Sequence, residues 1–241
     1  YLLYVYEPNG NPADTSPKTA RLTRVKADAA NPDIAQANSE VVLMGKIGTA
    51  PCSSSPAGSD CMASDSSAHT VGTVKFGPDG KIYVGMGDGG EFSFADEKSL
   101  RAQDLNTYNG KILRINPDGT APSDNPFYDG NPNSVRSKVF VYGLRSPYRF
   151  THKPGTGELY IGDVGSTFYE EINRGRGANF GWPCYEGGMV NNGNGNVPQS
   201  LKWDPRRLPL SIDTYLALTR THPAQLTVLP ETAIPLYFNE V

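Results

Sequence analysis

The segment AHTVGTVKFGPDGKIYVGMGDGG, residues 68–90, decides the fold. Its two halves, TVGTVKF and KIYVGMG, are rich in β-branched and aromatic residues, which favour strands. The Asp-Gly pair between them supplies the positive φ that a tight turn needs. The segment therefore predicts a β-hairpin whose two outer ends carry His69 and Asp88.

The same pattern returns at residues 152–165, HKPGTGELYIGDVG. Both copies have a turn, an aromatic-centred strand and a Gly-Asp exit, so Tyr83 and Tyr160 occupy equivalent strand centres. The copies lie further apart than the roughly 40 to 50 residues of a minimal propeller blade, which predicts long inserted loops. The polar stretches 91–107 and 119–137 are the candidates for those loops.

Short apolar runs predict further strands, namely YLLYVYE, ARLTRVKAD, EVVLMGKI, GKILRI and KVFVYGL. Helix formation is expected only around residues 97–105 and 212–218. The 26 glycines and 20 prolines are spread along the whole chain, as suits many strands and many loops. The predicted fold class is all-β, a single β-propeller domain over residues 1–241, with a β-sandwich as the alternative.

The charge and hydropathy patterns exclude two classes of partner. The net charge is −3, and lysines and arginines are interspersed among acidic residues, so no basic stripe is available for nucleic acid. No apolar run approaches the roughly 18 to 20 residues that a membrane-spanning helix needs. We therefore expect no nucleic-acid partner and no membrane span.

The three cysteines indicate the cellular compartment in which the protein works. Cys52 and Cys61 flank the polar loop CSSSPAGSDC, which predicts a disulfide, with two free thiols as the alternative. Cys184 is then left without a second cysteine to pair with, so it is either buried and free or paired with a partner beyond the end of this chain. A disulfide indicates a secreted or periplasmic protein.

Three stretches, residues 68–90, 108–127 and 141–183, resemble the glucose/sorbosone dehydrogenase family. The resemblance is strongest over 68–187, looser over 1–67, and leaves 191–241 unassigned. It implies a six-bladed propeller, incomplete in this chain, that oxidises the C1 hydroxyl of an aldose to a lactone. It also implies pyrroloquinoline quinone (PQQ) and Ca²⁺ as cofactors, a sugar substrate and an external electron acceptor.

The resemblance assigns roles to four residues. His69 matches the catalytic base, and Asp88 matches the carboxylate that holds it, because such a hydrogen bond fixes the tautomer and stabilises the imidazolium. Arg145, in YGLRSP, matches the arginine that faces the quinone, where it would stabilise developing negative charge. Ser146 stands where the family usually has a cofactor-binding Asn. Without the motif, His69 would be a surface loop histidine and Asp88 an ordinary turn residue.

The segment GDVGSTFYEEIN is implied to hold the calcium ion. Gly165 and Ser166 match the pair whose backbone carbonyls bind the metal, with Ser in place of the family's Pro. Glu170 and Glu171 replace the family's Asp-Glu pair and are expected to reach either calcium or a loop amide, with surface charges of a hairpin as the alternative. Val164 replaces a glutamine of the best-known enzymes.

The segment NFGWP at 179–183 matches a family turn that we interpret as structural, with Trp182 packing the blade. No lysine or arginine of a quinone-carboxylate clamp is recognisable after it, since nothing ties Arg206, Arg207 or Arg220 to the site. His152 and His222 lie in no motif and are expected to be solvated.

Two other functions compete with the dehydrogenase hypothesis. A non-catalytic propeller that binds carbohydrate or a protein partner would need no clamp. A lactonase-like hydrolase would use calcium to activate water. The sequence shows no ring of inward acidic and amide residues for the latter.

Overall fold

The computed structural model describes residues 1–6, 11, 16–166, 169–187 and 189–190. This part of the chain is mostly β, as predicted, and its strands form antiparallel sheets. Two 3₁₀ helices, Cys52–Ser54 and Glu97–Gln103, and the four-residue helix α1, Val135–Lys138, lie between the strands. The second helix confirms the turn of helix expected around 97–105, and Asp96 caps it by accepting the Ser99 N–H. The segment 212–218 lies outside the described residues.

The hairpin of residues 68–90 belongs to a four-stranded meander with the order β5-β6-β7-β8. Its Gly80, at φ 70°, closes the turn by donating its N–H to the Gly77 carbonyl at 3.1 Å. The strands of this sheet are β5 (Val71–Phe76), β6 (Ile82–Met86), β7 (Lys111–Ile115) and β8 (Val139–Tyr142).

Further sheets flank the meander in the sequence. Four strands precede it in one sheet: β1 (Leu2–Tyr6), β2 (Lys18–Arg24), β3 (Val41–Met44) and β4 (Met62–Ser64). Three strands follow it in another: β9 (Arg149–His152), β10 (Leu159–Asp163) and β11 (Glu171–Arg174). The short pair β12 (Tyr185–Glu186) and β13 (Met189–Val190) comes last.

The two central strands of the meander, β6 and β7, are buried on both faces. Alternate residues of β6 point to opposite sides, so Val84 packs in a cluster with Leu22 and Met62 of the first sheet. Tyr83 packs instead with Phe150 and Ile161 of the β9–β11 sheet. A sheet held between its two sequence neighbours is the packing of successive propeller blades, whereas a sandwich would leave one face of each sheet in solvent.

Because neighbouring strands of the meander are antiparallel, the loops that carry the predicted site residues lie together at one end of the strands. We call this end of the meander the site edge. Met86, at the end of β6, pairs with Val71 at the start of β5 and with Lys111 at the start of β7. Lys111 in turn pairs with Tyr142 at the end of β8. Residues that precede β5 and β7 or follow β6 and β8 therefore meet at this edge.

The cysteines give one confirmation and one correction. Cys52 and Cys61 form the predicted disulfide, with their Cα atoms 5.7 Å apart. Cys184 is exposed and forms no disulfide within the chain, so the first of its two alternatives, a buried free thiol, is wrong, and a partner beyond the end of this chain stays a prediction. Over the described ranges, no helix has the length and apolar character to cross a bilayer.

Candidate functional site

His69 and Asp88 meet at the site edge of the meander. The His69 Nδ1 lies 3.2 Å from Asp88 Oδ1, and the two side chains are 6% and 0% exposed. His69 has φ 48°, a left-handed conformation that residues other than glycine seldom adopt. Its carbonyl accepts the Gly89 N–H at 2.9 Å, so the turn after β6 holds the histidine backbone directly.

The Asp88 carboxylate is held from two directions. Its Oδ1 accepts the Gly90 N–H at 2.9 Å in addition to facing His69. Its Oδ2 accepts the indole N–H of Trp182 at 2.6 Å. The sequence-based interpretation of Trp182 as a packing residue missed this contact. The only sequence signal for it is that tryptophan carries a donor, which usually finds a partner when it is buried.

Arg145 lies beside this pair, because its carbonyl accepts the Asp88 N–H at 2.8 Å. Its guanidinium donates to backbone carbonyls on two loops: to Gly165 at 2.6 Å and Val164 at 3.2 Å from Nη1, and to Phe92 at 2.8 Å from Nη2. Burial lowers the pKa of the Arg145 guanidinium, and the negative charge of Asp88 opposes that change. The site thus holds a buried cation next to a buried acid–base pair.

Asp163, at the end of β10, fixes the loop that carries Arg145 and Ser146. Its Oδ2 accepts the Arg145 N–H at 3.0 Å and its Oδ1 accepts the Ser146 N–H at 2.7 Å. Burial raises the pKa of Asp163 to about 8, although both N–H donors favour the ionised form. Asp163 was not among the predicted site residues, but the repeated Gly-Asp exit at 162–163 was a signal for it.

The residues predicted to bind calcium lie around the end of β10, and each of them has a hydrogen-bond partner within the protein. The Gly165 carbonyl accepts the Arg145 guanidinium, and the Gly165 N–H donates to Glu170 Oε2 at 3.4 Å. The Ser166 N–H donates to Glu186. Glu171 accepts the Gly187 N–H and, at 2.9 Å, the side-chain amide of Asn173. In this arrangement both glutamates bind amide groups, which is one of the two roles expected for them.

The carbonyl oxygens of this turn are of a kind that can bind a cation. Val164 and Gly165 both direct carbonyl oxygens at a guanidinium, and carbonyl oxygens are the ligands that calcium accepts from the backbone. Among the residues that the structure describes, no group of three or more His, Cys, Asp or Glu side chains has the geometry of a metal site.

A buried lysine, Lys111, is hydrogen-bonded to loops that lie next to the candidate site. The Lys111 ammonium, at the start of β7, donates to the carbonyls of Asn109 at 2.6 Å and Arg101 at 2.9 Å. Burial lowers the pKa of Lys111 to about 7. The Asn109 amide donates to the Gly87 carbonyl at 3.0 Å, so this loop also contacts the turn that carries Asp88.

His152 lies away from the site, and its expected solvation is wrong. Its ring packs edge-on against Tyr83, with centroids 4.5 Å apart. Both ring nitrogens are buried and have no hydrogen-bond partner within the described structure. Burial lowers the pKa of His152 accordingly. His222, Arg206, Arg207 and Arg220 lie outside the described residues.

Comparison with known proteins places this geometry in a family. The family model described as "Glucose / Sorbosone dehydrogenase" matches residues 59–212, which is more than half of the chain. The chain belongs to the glucose/sorbosone dehydrogenase family. The match includes His69, Asp88, Arg145 and Trp182, the four residues that meet at the site edge.

Curated members of the glucose/sorbosone dehydrogenase family show how far the likeness extends. The chain is 35% identical over 132 residues to quinoprotein glucose dehydrogenase B of Acinetobacter calcoaceticus, covering 49% of this chain and 27% of that protein. It is 29% identical over 133 residues to the aldose sugar dehydrogenase YliI of Escherichia coli, covering 55% and 33%. The chain thus spans about a third or less of these relatives.

Solved structures agree on the fold. The PQQ-bound aldose sugar dehydrogenase of Streptomyces coelicolor matches with a TM-score of 0.51 at 24% identity, covering 79% of this chain and 46% of that one. A structure described as glucose dehydrogenase matches with a TM-score of 0.55 at 20% identity, covering 78% and 46%. The described chain therefore corresponds to about half of a six-bladed propeller dehydrogenase.

Proposed function

We propose that this chain carries the catalytic base of a PQQ- and calcium-dependent sugar dehydrogenase that oxidises the C1 hydroxyl of an aldose to a lactone. The observation that supports this most is the buried His69–Asp88 pair with Arg145 beside it. Under the same proposal, the chain forms part of a six-bladed propeller and works in the periplasm or outside the cell, in keeping with its disulfide.

Asp88 determines which nitrogen of His69 is the base. An ionised carboxylate is an acceptor only, so the Nδ1 that faces it carries the ring proton. The Nε2 then has a free lone pair and takes the proton of the sugar hydroxyl. The resulting imidazolium is stabilised by the buried negative charge of Asp88.

Arg145 provides the positive charge of the site. The bound quinone would supply the hydride acceptor. The guanidinium is fixed by carbonyls on two separate loops, so it needs little reorganisation to stabilise negative charge next to it. Ser146, held by Asp163 through its N–H, would contribute the second polar contact to the cofactor.

The carbonyls of Gly165 and Ser166 would hold the calcium ion, with Glu170 and Glu171 close by. In the structure the Gly165 carbonyl accepts the Arg145 guanidinium, so calcium bound to this oxygen would replace that hydrogen bond, and the contact from Arg145 to the Phe92 carbonyl would remain. Calcium bound to the folded state only would raise the melting temperature of the chelator-treated protein. Absence of any response to millimolar calcium would remove the metal from the proposal.

Replacement of the base tests the enzymatic role. We expect His69→Ala to lower turnover of an aldose, with an artificial electron acceptor, by a factor on the order of 10² or more. The assay uses the protein at its full natural length, reconstituted with PQQ and Ca²⁺. His152→Ala is the matched control, because it removes a half-buried imidazole that packs on Tyr83 outside the site. Equal turnover by wild type and His69→Ala would refute the role of His69.

A non-catalytic sugar-binding propeller is the second candidate. Phe92 and Phe94, on the loop after Asp88, are 69% and 48% exposed, and aromatic rings pack well on the apolar faces of sugars. This function predicts sugar binding in the full-length protein without any PQQ binding. Calorimetric titration with PQQ and with a panel of aldoses separates the two candidates.

A further inference from the structure

We propose that Trp182 is a positioning residue: its indole N–H fixes the Asp88 carboxylate, and its ring faces the Arg145 guanidinium. One side chain would then align both the acid–base pair and the cation of the site. The proposal rests on the proposed function for its effect on turnover, but its structural claim can be tested without any activity.

The hydrogen bond from Trp182 is the first support. It joins residues 94 positions apart at 2.6 Å, and Asp88 and Trp182 are 0% and 3% exposed. Among the described residues, Asp88 Oδ2 has no other hydrogen-bond donor. Loss of the indole N–H would leave a charged oxygen buried without a partner, and such a carboxylate rotates or reorganises to recover one.

The position of the ring is the second support. The Arg145 guanidinium carbon lies 5.5 Å from the centroid of the Trp182 ring, within the range of a cation–π interaction. The ring thus contacts the cation while its edge donates to the anion. A residue that only fills space would need neither contact, since phenylalanine has a similar apolar body.

The backbone of Trp182 is itself held by the loops of the site. Its N–H donates to the Gly143 carbonyl at 3.0 Å, two residues before Arg145. Its carbonyl accepts the side-chain amide of Gln103 at 2.6 Å, at the end of the second 3₁₀ helix. The indole is therefore placed by fixed backbone, as a group that orients another group must be.

The fixed orientation of the Asp88 carboxylate affects the tautomer of His69. The carboxylate is shared, with Oδ2 on Trp182 and Oδ1 on His69 and Gly90. A carboxylate that is free to rotate about its Cβ–Cγ bond no longer presents one oxygen to Nδ1. The neutral imidazole then loses its preference for the Nδ1–H tautomer, and Nε2 is available as a base for a smaller part of the time.

The test replaces Trp182 by Phe, which keeps an aromatic ring and removes the N–H. Nitrogen-15 spectra of the histidine rings report the tautomer, and His69→Ala identifies the His69 signals. We expect a dominant Nδ1–H tautomer in wild type and a mixture of tautomers in Trp182→Phe. In the reconstituted enzyme we expect kcat to fall about 10-fold while KM for the sugar changes less than twofold.

Tyr83→Phe is the matched control. It removes a buried aromatic donor that binds the Asp79 carboxylate at 3.1 Å, outside the site. We expect it to leave the His69 tautomer and kcat unchanged. A control that shifts the tautomer as much as Trp182→Phe would overturn the proposal, because the effect would then reflect general loosening.

The outcomes separate this proposal from the proposed function. A wild-type tautomer in folded Trp182→Phe overturns the positioning role. A shifted tautomer in a protein that has no dehydrogenase activity supports the role and refutes only the enzymatic function. If Trp182→Phe does not fold, Asp88→Asn serves instead: the indole N–H signal of Trp182 should move upfield, and an unmoved signal overturns the proposal.

Discussion

Gly87, directly after β6, allows the chain to pass close to the backbone of His69, and its replacement by alanine should disturb the site directly. A Cβ at this position would lie 2.2 Å from the His69 carbonyl oxygen and 2.4 Å from its carbonyl carbon. Both atoms are backbone, so no change of side-chain rotamer relieves the contact. The Gly87 N–H also donates to the Thr70 carbonyl at 2.7 Å, which ties the two strands together at this point.

The size of the effect follows from these distances. Ordinary contact with a Cβ begins at 3.4 Å, so the His69 carbonyl must withdraw by 1.2 Å from its present 2.2 Å. Overpacking of this kind costs about 1–3 kcal/mol, which lowers the melting temperature of a chain of this length by about 2–12 °C. A misplacement of about 1 Å at a reacting group lowers turnover by about 10².

Calorimetry and the nitrogen-15 spectrum of His69 measure these effects, and Gly162→Ala provides the matched control. Gly162 lies in β10, the strand equivalent to β6 in the repeat, but within the described part of the chain a Cβ there would meet only the Arg149 carbonyl oxygen, at 3.5 Å. We expect Gly162→Ala to change the free energy of unfolding by less than about 0.5 kcal/mol. A Gly87→Ala protein with the melting temperature and His69 spectrum of wild type would show that the close approach at Gly87 does not hold His69 in place.

Two further predictions concern stability. Replacing both Cys52 and Cys61 by Ser should lower the free energy of unfolding by about 3 kcal/mol, because the unfolded chain regains the loop-closure entropy of a bridge with a sequence separation of 9. Urea denaturation measures this loss. Two alkylatable thiols in the unreduced wild type would contradict the pairing. Because burial raises the pKa of Asp163 to about 8 from its usual 3.8, the folded state keeps a proton that the unfolded state has lost. The stability that this proton confers should be present below pH 3.8 and be lost as the pH rises through 8. The difference in unfolding free energy between wild type and Asp163→Asn should therefore shift against wild type over that range, and a difference independent of pH would contradict the raised pKa.

Local patterns were enough to predict the hairpin and the pair at its ends. The Asp-Gly turn and the alternation of β6 define the register, so His69 and Asp88 must lie at the same edge. The disulfide was predictable for a similar reason, since only a short polar loop separates Cys52 from Cys61.

Contacts between residues of different sheets depend on how the sheets pack, and local sequence patterns do not predict that packing. Trp182 reaches Asp88 across 94 positions because its turn is hydrogen-bonded to the loop of Gly143. Lys111 occupies a strand position typical of a solvated residue, but both faces of its sheet are covered and it is 0% exposed. Glu170 and Glu171 offer the same carboxylate oxygens to calcium and to an amide. Turns and the alternation between neighbouring residues thus predict which side chains lie at the strand ends. The partners of those side chains depend on how separate sheets and loops pack together, so they become visible only in the folded protein.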